Sequence, residues 1–305
     1  MNLHHLKVFH AVAHWGNFSH AAQRLFLSQP AVSVQVRRLE QALGVPLVEV
    51  YGRQVHLTQA GLRLREHADQ ILRIEKDAEE AMAEFQDPSR GSIRVGASTT
   101  PGTYLLPGLI AAFRRLHPGM QVSLVVENTR TITGRLLTND LDLGIVGEEF
   151  PGANGLILEP WMTDQMVIIA PPDHGLARAK SVSSEAVLAE PLILREPGSS
   201  TREVFVAAVQ ARGLKSEPVL ELSSTEAVKQ AVVAGLGLAV VSLLTVQTEI
   251  QIGRLRVLNV PDLRLERQLY LARHTGKRLS LGANAWLGFL RSSREGESPE
   301  YGKTK

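Results

Sequence analysis

Cysteine is absent from the 305 residues, which excludes a disulfide framework, a thiolate metal site and a cysteine nucleophile at once. Aromatic residues are few, at 5%, so the cores must rest mainly on aliphatic side chains. No uncharged apolar run reaches the roughly 18 residues that a membrane-crossing helix needs. The opening residues, from Met1 to Phe9, lack the basic-then-apolar order of an export signal, so a cytoplasmic protein with no membrane partner is expected. Charge is sparse in total, at a formal net +2, but uneven: residues 1–58 hold Lys7, Arg24, Arg37, Arg38 and Arg53 against only Glu40 and Glu49. A basic excess of this size suits nucleic acid, and equally an ordinary solvated surface. His4, His5, His10, His14, His20 and His56 crowd the same segment without a cysteine or carboxylate at ligand spacing, so neither a metal nor another cofactor is expected.

What is present is informative from Phe18 to Arg38. Ser19 is placed to cap a short helix through Ala21, Ala22 and Leu25, and Ser28 to cap a second whose first turn holds Gln29 and Pro30. Two capped helices in tandem read as a helix-turn-helix. On the second, Val32, Val36, Leu39 and Leu43 recur at spacings of 4, 3 and 4 and make one apolar face. The other face carries Pro30, Ser33, Val34, Arg37 and Arg38, with Gln29 at the tip. Glutamine can pair with an adenine edge, serine and arginine can hold phosphate, and an outward Val34 or Pro30 can rest on a thymine methyl. That set reads as a surface for base edges.

These residues resemble the LysR-type transcriptional regulators. The likeness runs through Leu3, Leu6 and Phe9, then Asn17-Phe18-Ser19, Ala21-Ala22, Leu25, Ser28-Gln29-Pro30-Ala31-Val32-Ser33, Leu39-Glu40, Leu43-Gly44 and Leu57-Thr58-Gln59-Ala60-Gly61. One departure is Val48 and Val50, where the family usually has a phenylalanine and a basic residue. The resemblance implies a mainly α winged helix-turn-helix, a long linker helix, and a two-lobed α/β effector domain similar to type 2 periplasmic binding proteins. It also implies double-stranded promoter DNA, RNA polymerase and a second copy of the chain as partners, in a homodimer or homotetramer.

Along the chain, residues 1–58 form the DNA-binding domain, with Leu47–Val50 and Gln54–Leu57 as a hairpin wing and Arg53 at its tip for a minor groove. Residues 59–88 are linker helix and joint. Its apolar residues, Leu62, Leu64, Ala68, Ile71, Leu72, Ala78, Met82 and Phe85, form a stripe for the chain's own domain or, as the resemblance favours, for a second protomer. Residues 89–291 form the effector domain. Strands are expected at Ile93–Ala97, Val122–Glu127, Leu141–Val146, Met166–Ala170, Leu192–Arg195, Val219–Leu222 and Leu238–Val241. Helices are expected at Leu105–Leu116, Arg130–Leu137, Ser184–Leu188, Arg202–Arg212 and Glu226–Ala234. By resemblance, lobe I takes about 91–161 and 268–291, lobe II about 162–267, and two crossing strands form the hinge. Residues 292–305 are charged and read as a disordered tail.

Ligands of open α/β sheets bind beyond the carboxyl ends of strands, where helix N-termini present free N–H groups. Four hydroxyl-rich turns fall there: Ser98-Thr99-Thr100, Asn128-Thr129, Ser199-Ser200-Thr201-Arg202 and Ser223-Ser224-Thr225. Each alone reads as helix capping; their coincidence points to an effector. The expected ligands are Ser98, Thr99, Thr100, Thr129, Ser200, Thr201, Arg202 and Thr225, with Arg202 chosen for an anionic metabolite. No Gly-x-Ser-x-Gly elbow or phosphate-loop lysine occurs, and nothing places a base beside Asp140 and Asp142, so an enzyme is not expected. The resulting expectation is an effector-controlled regulator, of a branch like those serving carbon fixation or sulfur assimilation, the alternative being an effector-independent DNA-binding protein with a vestigial cleft.

Overall fold

The structure, a computed structural model, describes residues 1–52, 54–86, 91–147 and 154–293. Arg53, most of the joint at 87–90 and the tail from residue 294 lie outside the described residues. Internal contacts divide the chain into two units, Met1–Met82 and Ala83–Lys305.

The first unit begins with α1 (Leu3–Trp15), α2 (Phe18–Leu25) and α3 (Gln29–Leu43). Gly16 ends α1 and Gly44 ends α3, each in the left-handed region at φ +61° and +71°, where a side chain would be strained. The cap of α2 is Asn17, not Ser19: its Oδ1 accepts from the N–H groups of Ser19 and His20 at 2.8 and 3.2 Å. Ser19 already lies inside the helix, and its N–H is one of the groups being capped. Ser28 caps α3 as expected, accepting from Ala31 N–H at 3.3 Å. Leu6, Phe9, Val12, Ala21, Val32, Val36 and Leu39 form one buried core. Leu43, expected on the same face, is 37% exposed, because the last turn of α3 runs past the end of that core.

A hairpin follows, β1 (Val48–Tyr51) and β2 (Gln54–Leu57), registered Val48 to Leu57 and Tyr51 to Gln54. Leu47 takes the fully buried position and Val48 packs half-buried against the core, so that core closes without the expected phenylalanine. The long helix α4 (Gln59–Gln86) is not a separate unit in its first half. Ala60, Leu64, Ala68 and Ile71 pack on the N-terminal core, whereas Ile74 and Met82 are exposed by 58% and 60%. The single stripe read from the sequence therefore divides into an inner half and an outer one. At its start a Cβ on Gly61 would lie 2.0 Å from the Leu47 carbonyl oxygen, so only glycine lets helix and hairpin meet.

The second unit runs β3 (Gly91–Ser98), α5 (Thr99–Tyr104), α6 (Leu106–Leu116), β4 (Met120–Glu127), α7 (Thr129–Leu137), β5 (Leu143–Gly147) and β6 (Leu156–Ala170). It continues with α8 (Ser184–Leu188), β7 (Leu192–Arg195), α9 (Ser200–Ala211), β8 (Leu220–Leu222), α10 (Thr225–Val233) and β9 (Leu238–Ser242). Then come α11 (Gln247–Gln251), β10 (Arg256–Leu258), β11 (Glu266–His274) and α12 (Leu281–Ser292). Ser292, assigned above to the tail, is helical. Neighbouring strands follow the order β4-β3-β5-β11-β6-β9-β7-β8, with β10 on β6. Pairing is parallel among β3, β4 and β5 and among β7, β8 and β9, while β6 and β11 run antiparallel through the middle. These two long strands join two cores, one around Ile93, Phe113 and Trp286 and one around Ile168, Leu194 and Phe205. Their register shifts between Leu269 and Tyr270, where Tyr270 faces Pro160.

The first half of β6, with β10, β11, α5, α11 and α12, was not legible locally. Pro160 and Asp164 interrupt the β6 pattern, and Pro101 with Gly102 makes α5 read as a turn. Asp142 proves to be structural: its Oδ2 accepts from Arg94 N–H at 2.7 Å, and its Oδ1 meets Arg94 Nη2 and Lys277 Nζ at 2.8 Å each. Burial by itself would push the Asp142 carboxyl up, but hydrogen bonds from Arg94 and Lys277 outweigh it and hold the carboxyl below its usual range. The stabilisation is complete above the unfolded carboxyl's pKa of about 3.9 and is lost as pH falls through the lower folded value. Asp142→Asn should cost about 3–5 kcal/mol at neutral pH, and its deficit against wild type should shrink below about pH 4, measured by urea unfolding across pH.

Candidate functional site

The outer side of α3 is built as the sequence implied. Gln29, Pro30, Val34, Arg37 and Arg38 are exposed and Ser33 is half-buried, while the opposite side is locked into the core by Val32, Val36 and Leu39. Packing thus fixes which residues face outward. Val50, at the position of the expected basic residue, is 56% exposed and offers no charge. Arg53, the expected tip of the wing, lies outside the described residues.

In the second unit, four segments converge on a small cleft with an empty volume of about 190 Å³, lined by Ser98, Thr99, Thr100, Asn128, Thr129, Arg195, Ser199, Ser200, Thr201 and Arg267. They arrive from the ends of β3, β4 and β7 and the start of β11, the first three at helix N-termini as expected of an open sheet. Two of the hydroxyls stand out. Ser98 Oγ and Thr129 Oγ1 are buried and have no hydrogen-bond partner among the described residues. Buried polar atoms are rarely left unpaired, so a ligand or water is the natural occupant.

Positive charge enters the cleft through Arg195 and Arg267, each 3–4% exposed. Arg267 Nε donates to Asp164 Oδ2 at 2.8 Å, and its Nη1 donates to Ser200 Oγ at 2.6 Å and Thr201 Oγ1 at 3.2 Å. Asp164 Oδ1 in turn accepts from Ser242 Oγ at 2.6 Å. Arg195 donates to both oxygens of Glu196, at 2.8 and 3.1 Å, and through Nη1 to Thr225 Oγ1 at 2.6 Å. Both guanidiniums are thereby fixed in direction before any ligand arrives. Asn128 Oδ1 caps α7 and its Nδ2 donates to Glu196 Oε1 at 3.4 Å, so a bond crosses the cleft. Ser200 also sits tightly against the end of β5: a Cβ on Gly147 would lie 2.6 Å from its Oγ.

Two expected ligands fall outside this lining. Arg202 donates to the Arg195 carbonyl at 3.0 Å and pairs with Glu221, and Thr225 is occupied by Arg195. The sequence reading missed Arg195 and Arg267. A basic residue ending the wholly apolar strand Leu192–Leu194 was an available signal for the first. None existed for Arg267, whose carboxylate partner lies 103 residues away. Among the described residues no group of His, Asp and Glu could hold a metal ion, and no helix is long and apolar enough to cross a membrane.

A helix-turn-helix with a polar, basic outer face, followed by a two-lobed α/β domain with a hydroxyl- and arginine-lined cleft, defines a DNA-binding regulator with a ligand domain. Residues 3–62 match the family described as bacterial regulatory helix-turn-helix protein, lysR family, and residues 86–295 match the LysR substrate binding domain. The chain belongs to the LysR family of transcriptional regulators. It is 39% identical over 293 residues to the RuBisCO operon transcriptional regulator of Allochromatium vinosum, covering 96% of each chain. It is 37% identical over 288 residues to the HTH-type transcriptional activator CmpR of Synechocystis, covering 94% of each. The first of these relatives, named for the RuBisCO operon, lies on the carbon-fixation side of the two branches considered above. The regulatory domain of Synechocystis CcmR, solved in complex with 2-PG, superposes with a TM-score of 0.63 at 32% identity, covering 68% of this chain and 98% of that one. Full-length CbnR complexed with its target DNA shares the fold, with a TM-score of 0.74 at 23% identity, covering 96% and 100%.

The two kinds of cleft hydroxyl separate in a stability measurement. Thr129→Val removes an unpartnered group and should leave unfolding free energy unchanged or raise it by about 1 kcal/mol, whereas Ser200→Ala strips an acceptor from Arg267 and should cost about 1–3 kcal/mol.

Proposed function

We propose that this chain regulates transcription of a carbon-fixation operon in response to a small anionic metabolite held between the two lobes. The observation that carries the reading is the convergence of two buried, pre-oriented arginines and two unpartnered hydroxyls on one cleft. An anion carrying phosphate and carboxylate suits it, since phosphate takes N–H groups at the starts of α7 and α9 and the unpartnered hydroxyls donate to it, beside two guanidiniums whose own charges Asp164 and Glu196 already balance. The complex of the CcmR regulatory domain with 2-PG supports that chemistry.

Of the cleft's empty volume of about 190 Å³, only about 10 Å³ is open to the centre of a water molecule, room for roughly one water, whereas metabolite sites run to roughly 300 Å³ and more. Admitting such a ligand requires the lobes to rotate about β6 and β11. The ligand then controls the output only by preferring one lobe arrangement over the other. On the DNA side, α3 docks in the major groove, and paired copies reach half-sites about 34–36 Å apart. The exposed Ile74, Ala78 and Met82, at four-residue spacing, support pairing through α4. The assembly is a homotetramer, a dimer of dimers, that works in the cytoplasm and acts on RNA polymerase. It needs neither an enzymatic step nor a cofactor.

Two sets of variants test the two halves separately. Gln29→Ala and Arg37→Ala should abolish operator preference in a gel-shift assay while leaving assembly intact; unchanged operator affinity would defeat the docking of α3. Thr100→Val and Thr129→Val should keep operator binding and remove the thermal stabilisation that 2-phosphoglycolate gives the wild type. If no phosphate, sulfur oxyanion or carboxylate stabilises the wild type, the effector-independent alternative stands.

A further inference from the structure

The turn between α2 and α3 holds a side chain that the fold does not use. Phe26 is 95% exposed, and its backbone lies in the left-handed region at φ +55° and ψ +37°. Asparagine and glycine enter that region readily, whereas an aromatic residue is strained there. The turn itself is shaped by the main chain: Phe26 N–H donates to Gln23 carbonyl at 3.3 Å and Leu27 N–H to Ala22 carbonyl at 3.0 Å. Nothing in the turn therefore requires a ring, and holding a bulky residue in the left-handed region costs the isolated unit stability.

Its surroundings identify the partner that offsets this. Phe26 opens a run of five exposed residues, Phe26 to Pro30, that continues without a break into the tip of α3. Arg24 lies exposed two residues before it, its guanidinium 4.9 Å from the Trp15 ring centroid, and Arg37 and Arg38 are exposed farther along α3. No acidic residue occurs between Met1 and Leu39. An exposed aromatic ring in a stretch that carries cations and no carboxylate fits a polyanion that also offers apolar surface. Duplex DNA does so through its deoxyriboses and thymine methyls.

We propose that Phe26 is a DNA-contact residue whose ring packs on the apolar surface of the operator beside the base pairs met by α3. The inference rests on α3 docking in the major groove. Contact of this kind releases no counterions, so it adds affinity without changing the dependence on salt.

The test uses the full-length protein and a duplex selected from random DNA by the wild type, with binding followed by fluorescence anisotropy across salt concentrations. Phe26→Asn should weaken binding by about tenfold, the size of one good contact, with an unchanged slope against log salt and a thermal midpoint equal to or above wild type. Replacing thymidine by deoxyuridine in the half-site should weaken wild type more than Phe26→Asn if the ring meets a methyl, and both proteins to the same extent if it meets sugar. Wild-type affinity in Phe26→Asn overturns the inference. So does a lower thermal midpoint or a smaller oligomer by ultracentrifugation, either of which would assign the ring to folding or assembly. Gln29→Ala run beside it separates the two failures: if it loses preference while Phe26→Asn does not, only this inference falls, and if it too is unaffected, the docking of α3 falls with it.

Discussion

The pair between Arg267 and Asp164 is the constraint on which the ligand domain depends. Both groups are almost wholly buried, with 2–4% exposure, and they sit opposite one another on β11 and β6, the two strands shared by both lobes. Removing two charges from water at such a point costs several kcal/mol each and is recovered only by tight geometry and further hydrogen bonds. Ser242, Ser200 and Thr201 supply those bonds, and two of these three residues open α9 at the cleft. The same guanidinium thus anchors the hinge and faces the site. A ligand that drew on its donors would perturb the junction of the lobes directly, without any longer route between site and hinge.

The N-terminal unit solves a different problem with different means. Its recognition surface carries no buried charge and no ligand-dependent geometry. Orientation comes from aliphatic packing under α3, from the caps at Asn17 and Ser28, and from the close seat of Gly61 on Leu47. A rigid reader coupled to an adjustable sensor is a sensible division, because base contacts tolerate little positional error whereas a sensor must move. Half of α4 belongs to the reader by packing, so whatever α4 does in assembly acts on a body already fixed to the recognition helix.

How much of this could be read from residues alone varied with the range of the interactions. Helical spacing gave the outward side of α3 correctly, because amphipathicity is local. The hydroxyl turns after β3 and β7 gave most of the cleft, because helix N-termini at strand ends recur in this topology. Ser19 was mistaken for a cap because serine and asparagine both serve, and only the phase of the first turn distinguishes them. Arg202 was chosen for its place beside Ser200 and Thr201, yet Glu221, 19 residues on, claims its guanidinium. Arg267 escaped notice altogether, since its meaning lies in pairing with Asp164 across the sheet. Resemblance to a family supplied the lobes and the crossing strands, which local pattern could not, as Pro160 and Asp164 disguise β6.

The slip in register at Leu269 and Tyr270 carries a consequence of its own. A proline opposite it can donate no ladder hydrogen bond, and an irregular pairing twists and bends a ribbon locally. The double-stranded connection is therefore not a uniform spring but a plate with a crease, and the lobe rotation proposed above would bend it most easily along that line. The crease lies on the lobe I side of the Arg267 and Asp164 pair, so the pivot is displaced from the sensor's own anchor. Sequence changes at Pro160 or Tyr270 would then tune the amplitude of the response independently of what is sensed.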